Sequence, residues 1–220
     1  MIPLRDINPT RRFPLVTIGF IVLNALVFVY EMLLPSENAL SALIYMWGLS
    51  PYRLVQFDLH AILTVFTAMF LHSGFAHLIG NMLYLWIFGD NIEAAMGPFR
   101  FTVFYLLCGL GAALGQVLVD PSSHIPMVGA SGAISGVLGG YLLLYPHAEV
   151  ETLVLLGYFA RLVRVPALVV LGLWIVMQLL SGLLSLGVQA TGGVAWFAHI
   201  GGFATGIVLV SLFKRRRWWE

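Results

Sequence analysis

The charged residues of this chain fall in clusters, and long stretches between the clusters contain none. No Asp, Glu, Lys or Arg lies between Arg12 and Glu31, Asp58 and Asp90, Arg100 and Asp120, Asp120 and Glu149, or Arg164 and Lys214. An apolar stretch of about 20 residues can cross a bilayer as a helix, which satisfies its own backbone hydrogen bonds where water is absent. Composition agrees, with 60% of the 220 residues hydrophobic and 10% charged. A soluble domain carries about 25% charged residues. So few polar atoms cannot cover a globular surface, and lipid must cover part of it. The same numbers exclude a disordered chain, a coiled coil and a nucleic-acid binder that works through a broad basic face. The one cysteine, Cys108, excludes a disulfide framework and a cysteine-built metal site.

The stretches divide into six expected transmembrane helices within a single domain, residues 1–220. The first span covers about Phe13–Tyr30 and the third about Phe101–Val119. The stretch 59–89 exceeds one helix, and His72-Ser73-Gly74 interrupts it. Ala61–Leu71 reads as an interfacial or re-entrant piece, and Phe75–Gly89 as the second span. Pro121, Pro126 and Pro146 confine the fourth to about Ala130–Tyr145, short for a bilayer, so its end must lie in protein or in a water-filled cavity. The last stretch holds two spans, broken at Leu186–Gly193.

Basic residues orient the bundle. With the N-terminus inside, the inner segments hold Arg5, Arg11, Arg12, Arg100, Arg161, Arg164, Lys214, Arg215, Arg216 and Arg217, and the outer ones only Arg53. This bias places a short segment 1–12 and a basic tail 214–220 in the cytoplasm of a multi-pass cell-membrane protein. The first span ends at Glu31 without a small-residue cleavage site and reads as a retained anchor. Trp47, Tyr52, Trp218 and Trp219 fall where interfacial aromatics belong. Asp90 and Glu93 read as solvated charges at the end of the second span.

Uncharged polar residues inside the spans carry the chemistry, because each is costly in lipid. Spans two, four and six all enter from the outside. His77 and Asn81 lie four residues apart on one face of the second. Ser131 opens the fourth in Gly129-Ala130-Ser131-Gly132, and His199 lies near the start of the sixth in Ala198-His199-Ile200-Gly201-Gly202. At about 1.5 Å per residue, all four sit at one level, roughly 5–10 Å below the outer surface. Gly132, Gly136 and Gly140 on the fourth span and Ala198, Gly202 and Gly206 on the sixth recur at every fourth residue. Such stripes let two helices approach closely, which brings Ser131 beside His199. An imidazole can then take the serine proton during attack on a carbonyl. His77, Asn81 and the Ser131 backbone N–H are candidate donors to the oxyanion. With no carboxylate at that depth, the pair reads as a dyad.

Taken singly, each residue has a plainer role. Ser131 serves as well as a helix cap. His77 and Asn81 suit an interhelical hydrogen bond, His199 suits packing or a proton relay, and glycine stripes need only pack helices. Their shared depth on three like-oriented helices is what favours chemistry. Other intramembrane chemistries lack their residues: there is no His-Glu-x-x-His pair for zinc, and Asp90 has no partner aspartate. Position 133 is Ala, so the Gly-x-Ser-x-Gly elbow of soluble hydrolases is absent.

From about Pro14 to Lys214 the chain resembles the rhomboid intramembrane serine proteases, in their basic bacterial six-helix form. The likeness rests on Leu71 to Asn81, on Gly129-Ala130-Ser131-Gly132, on Ala198 to Gly206, and on the turn from Gly89 through Glu93 to Gly97. It implies an all-α bundle of six transmembrane helices whose first loop, about Leu34–Gly74, is partly embedded in the membrane. It implies Ser131 as nucleophile, His199 as general base and His77 with Asn81 at the oxyanion, with neither metal nor cofactor. The implied partners are membrane lipid and single-span protein substrates, cut near the outer face at small residues. The alternative is an inactive relative that binds or escorts membrane clients. Two positions depart from the family pattern. Ser135 stands where many members place an aromatic against the catalytic histidine, leaving Trp196 or Phe197 to support His199. Leu63-Thr64 stands about where a Trp-Arg pair is expected.

Overall fold

A computed structural model of the chain describes residues 1–10, 12–156, 159–186 and 193–215. Arg11, Arg216, Arg217, Trp218, Trp219 and residues 187–192 of the expected break lie outside them. In chain order the elements are β1 (Ile2–Asp6), α1 (Leu15–Met32), α2 (Glu37–Trp47), α3 (Pro51–Val55) and α4 (Leu59–Thr67), which runs into a 3-10 turn, Ala68–Phe70. Next come α5 (Phe75–Met96), α6 (Pro98–Val119), α7 (Ser131–Leu144), β2 (Glu149–Leu156), β3 (Phe159–Pro166), α8 (Ala167–Ser185) and α9 (Trp196–Phe213). The chain is a mainly helical, multi-pass membrane protein.

Helices α1, α6, α8 and α9 are each long and apolar enough to cross a bilayer. Leu59–Phe70 and Phe75–Met96 qualify together but bend by 82° at their junction, so the segment before α5 does turn aside, as the His72-Ser73-Gly74 interruption suggests. Helix α7 has 14 residues, about 21 Å at 1.5 Å per residue, against a hydrocarbon core of about 30 Å. It sits in the middle of the bundle: every side chain from Ala133 to Tyr141 is buried. Its aromatic neighbours close the core, with the Phe88 ring edge-on to Tyr141 at 4.9 Å.

Two readings from charge are corrected. Helix α5 does not stop near Gly89 but continues to Met96, and Glu93 is not a solvated end charge. Its carboxylate is buried and accepts from the backbone N–H groups of Val16 at 2.9 Å and Thr17 at 2.8 Å, and from the Thr17 hydroxyl at 2.8 Å. These are among the N–H groups that a helix start leaves unpaired, and a carboxylate there also meets the positive end of the helix dipole. Glu93 thereby fastens the start of α1 to α5. At the other end of this corner, Arg215 donates from its backbone to Ala95 O and from Nε to Met96 O, each at 3.0 Å. A cation thus covers the carbonyls at the end of α5, beside the turn that Gly97 makes at φ +83°.

The bundle also carries a small sheet that the helical reading omits. Strands β2 and β3 form an antiparallel hairpin, and β1 adds to β2 in the order β1-β2-β3. Val150, Thr152, Val154, Val163 and Val165 supply the β-branched side chains that favour strands. Arg5 pairs with Glu151 at 2.8 Å. Asp6, at the end of β1, accepts from the Tyr141 hydroxyl and from Asn91 Nδ2, both at 2.7 Å, which joins the sheet to α7 and α5.

Burial pushes the Asp6 carboxyl up to about 6, with the Asp90 carboxylate adding to the rise and the Tyr141 hydrogen bond opposing it. A raised native value means the folded protein binds the proton more tightly than the unfolded chain. Stability should therefore fall as pH rises from about 4 to about 6, and the cost persists above that range. Asp6→Asn, whose oxygen can keep both hydrogen bonds, should stabilise the protein at pH 8 by about 1 kcal/mol, a value held down by solvent screening. The gain should vanish near pH 4 in melting curves recorded in detergent.

Glycine brings α7, α9 and α6 together. A methyl group built on Gly202 would strike the carbonyl oxygen of Gly132, and one on Gly206 would strike that of Gly136. A methyl group on Gly136 would strike the Cys108 side chain and stand 3.0 Å from Gly202 O. Gly140 is less tight, meeting only side-chain atoms of Phe104 at 3.3 Å and Val210 at 3.4 Å. A second close approach involves Gly115 of α6 and Gly201 of α9, where a methyl group on either would stand 2.9 Å from the Cα of the other.

Candidate active site

The first loop positions the start of α7. Leu49 and Met127 exchange backbone hydrogen bonds of 2.9 and 2.8 Å, and Gly129 N–H donates to Ala68 O at 2.8 Å. These bonds pin the approach to Ser131 against the link between α2 and α3 and against the 3-10 turn after α4. Ser131 is the first residue of α7, so its backbone N–H has no carbonyl one turn earlier to pair with and stands at the positive end of the dipole.

The contact between α7 and α9 brings Ser131 Oγ to 2.8 Å from His199 Nε2. His199 Nδ1 lies 2.8 Å from Gln178 Oε1 on α8. An amide oxygen only accepts, so Nδ1 carries the proton and Nε2 is left with a lone pair facing the serine. Around the ring stand Trp174, with centroids 6.0 Å apart and planes tilted by 37°, and Trp196, edge-on at 6.3 Å. Trp196 is one of the two aromatics expected there. Phe197 instead turns toward Gly182 of α8. Ser135, one turn after Ser131, points its hydroxyl back to the Ser131 carbonyl at 2.6 Å.

His77 and Asn81 face the same space from α5. The Ser73 N–H donates to His77 Nδ1 at 3.5 Å, and the Ser73 hydroxyl lies 3.0 Å from that nitrogen. An accepting Nδ1 puts the ring proton on Nε2. That nitrogen faces Gly129, where a methyl group would stand 2.5 Å from it at a backbone φ of +118°. Gly129 is thus required twice, for its φ and for the room it leaves. Asn81 Nδ2 donates to His72 Nε2 at 3.0 Å, and the His72 backbone N–H in turn donates to the Glu31 carboxylate at 3.1 and 3.3 Å. One Nδ2 hydrogen of Asn81 remains for the cavity, since the amide carries two. His77, Asn81, Ser131, His199, Gln116 and Trp174 all line one cavity of about 790 Å³. A serine poised on an imidazole, with N–H donors from a helix start and from two side chains, is equipped for acyl transfer.

The structure thus brings together all four residues picked out for chemistry, and adds partners that were not. Gln178 was readable as an uncharged polar residue in the middle of an apolar span, the same reason that selected His77 and Asn81. Ser73 and His72 carry no such mark, because they precede the helix. Among the described residues, no group of three or more metal-ligating side chains gathers.

A family model described as the Rhomboid domain matches residues 60–216. RHOMBOID-like protein 4 of Arabidopsis thaliana is 36% identical over 139 residues, which cover 63% of this chain and 31% of that protein. The Putative rhomboid protease YdcA of Bacillus subtilis is 36% identical over 78 residues, 36% of this chain and 39% of its own length. Rhomboid protease GluP of the same organism is 41% identical over 76 residues, 34% of this chain and 14% of its own. The chain therefore spans less than half the length of each of these relatives.

Proposed function

The chain belongs to the rhomboid family, and we propose that it is an intramembrane serine endopeptidase working with a Ser131–His199 dyad. The observation that carries this reading is the 2.8 Å contact between Ser131 Oγ and His199 Nε2 inside a cavity that also holds His77 and Asn81. Ser131 attacks the scissile carbonyl while His199 Nε2 takes the hydroxyl proton. The oxyanion that forms accepts from the Ser131 backbone N–H, His77 Nε2–H and Asn81 Nδ2–H. His199 then returns its proton to the departing amine, and a water deprotonated by the same nitrogen releases the acyl group. Donors fixed in place before reaction cost no reorganisation, and each is typically worth about 3–4 kcal/mol at the transition state.

The substrates are the transmembrane segments of other membrane proteins, which reach the cavity from the lipid. The bias of basic residues supports a cell-membrane protein with both termini in the cytoplasm, an orientation in which the α7 start opens toward the outer face. A short α7, enclosed by its neighbours, keeps the reacting serine below the surface while water reaches it through the cavity.

Reconstitution in liposomes with a single-span substrate tests the reading. Wild type should cleave it near the outer face, and a fluorophosphonate should label Ser131 alone. An intact substrate, or a label on another residue, would sink it.

A further inference from the structure

We propose that Gln178 is a positioning residue for His199, so that the reacting unit is a neutral Ser131–His199–Gln178 triad; this rests on the protease reading above. Gln178 lies well inside α8 and is only 7% exposed. A primary amide in a lipid-facing helix needs a partner, and its oxygen finds one in His199 Nδ1 at 2.8 Å. On the far side of the ring, Nε2 meets Ser131 Oγ at the same distance. The two contacts fix the imidazole at both nitrogens and select one tautomer, the one whose Nε2 can accept the serine proton.

Helix α8 holds the ring at a second point. Trp174 precedes Gln178 by four residues and so shares its face of the helix, with its centroid 6.0 Å from the imidazole and 6.0 Å from Phe203. Helix α7 does not supply this support, because the residue a turn after the nucleophile is Ser135, whose hydroxyl is committed to the Ser131 carbonyl. The hold on the base has moved to α8.

A neutral amide suits this place. A carboxylate would stabilise the imidazolium more, but at rest it would leave a charge buried beside lipid. The amide orients the ring without that cost. During reaction the Ser131 proton passes to Nε2 and then to the leaving amine, while the Nδ1 proton stays on its bond to Gln178 throughout. The titratable groups that line the cavity with His199 are His77 and Tyr84 on α5 and Asp120 after α6.

The test compares Gln178→Leu and Gln178→Glu with wild type, in rate and in the nitrogen-15 spectrum of His199, assigned by its loss in His199→Ala. Gln178→Leu removes the acceptor and should lower kcat by about 10- to 100-fold with KM unchanged within about twofold. Its Nδ1–H tautomer signal should give way to a mixture. Gln178→Glu restores an acceptor, recovers most of kcat, and moves the low-pH limb of kcat/KM up by about 1–2 pH units, because a carboxylate favours the imidazolium. An interhelical clamp with no positioning role would lower the melting temperature in Gln178→Leu and leave tautomer and pH profile alone. That outcome overturns the proposal, as does a Gln178→Leu enzyme with wild-type kcat. Should the leucine variant not fold, Gln178→Asn, which withdraws the acceptor by one methylene, gives the same readings. The tautomer needs no turnover. If wild type cleaves nothing yet Gln178→Leu mixes the tautomers, the positioning role stands and the protease reading falls.

Discussion

Ser131→Ala is expected to lower the rate of substrate cleavage by about four orders of magnitude or more, and His199→Ala by a similar factor. The two side chains act through one hydrogen bond and one proton transfer, so removing either disables the other. The double variant should therefore be no slower than the slower single one, whereas independent contributions would multiply. On the protease reading neither change should alter substrate binding, because each side chain is one small part of the cavity wall. Nor should either unfold the protein, since a typical hydrogen bond contributes only about 1 kcal/mol net. The check is cleavage of a single-span substrate in liposomes across all four proteins, with melting curves beside it. Multiplicative losses, or residual cleavage in Ser131→Ala near the wild-type rate, would show that the pair is not the reacting unit.

Gly206→Leu should be as damaging without touching the site. A side chain at this position runs into the carbonyl oxygen and backbone of Gly136. Those atoms belong to the backbone of α7 and cannot swing aside as a side chain would. Helix α9 must then back away from α7 along its length. We expect a loss of about 3 kcal/mol or more, at the upper end of what overpacking costs. Activity should fall with it, because the same displacement draws His199 away from Ser131. Gly140→Ala is the contrasting case. Its methyl group would meet only Phe104 and Val210 side-chain atoms at 3.3–3.4 Å, which can yield, and it should cost under about 1 kcal/mol. Melting in detergent separates the two. Equal costs would mean that spacing along the helix, rather than backbone contact, sets the packing.

Much of this architecture could be read before any coordinates, and for a specific reason. In lipid a charge or a strong polar group is expensive wherever it lies, so charge-free stretches mark α1, α6, α8 and α9, and the few polar side chains within spans mark His77, Asn81, Ser131 and His199. The same logic failed where charges were buried with partners. Glu93 marks the end of a span only where a carboxylate must meet water, and three donors from α1 hold it inside the bundle instead. The hairpin 149–166 does not show in the charge pattern, because its charged residues alternate with β-branched ones and so mark the segment only as a link between spans. What joins β1 to it is 146 residues away in the chain, a separation that no local pattern carries. The partner of His199 is hidden for a narrower reason: Gln178 is as polar as His77 and Asn81, but it lies mid-span on the fifth expected helix, which runs opposite to the three whose polar residues share one depth.

Strand β1 has a bearing on how the molecule is made. Arg5 reaches Glu151 across 146 residues of chain, and at about 5–20 residues per second synthesis takes roughly seven to thirty seconds to cover that distance. In that interval α1, α5, α6 and α7 are all made before the partner strand β2 exists. The bonds from Asp6 to Tyr141 and Asn91 form only with α7 and α5 at their native level. The joining of β1 to β2 therefore ties the first residues made to the correct seating of α5 and α7, two helices made long after them.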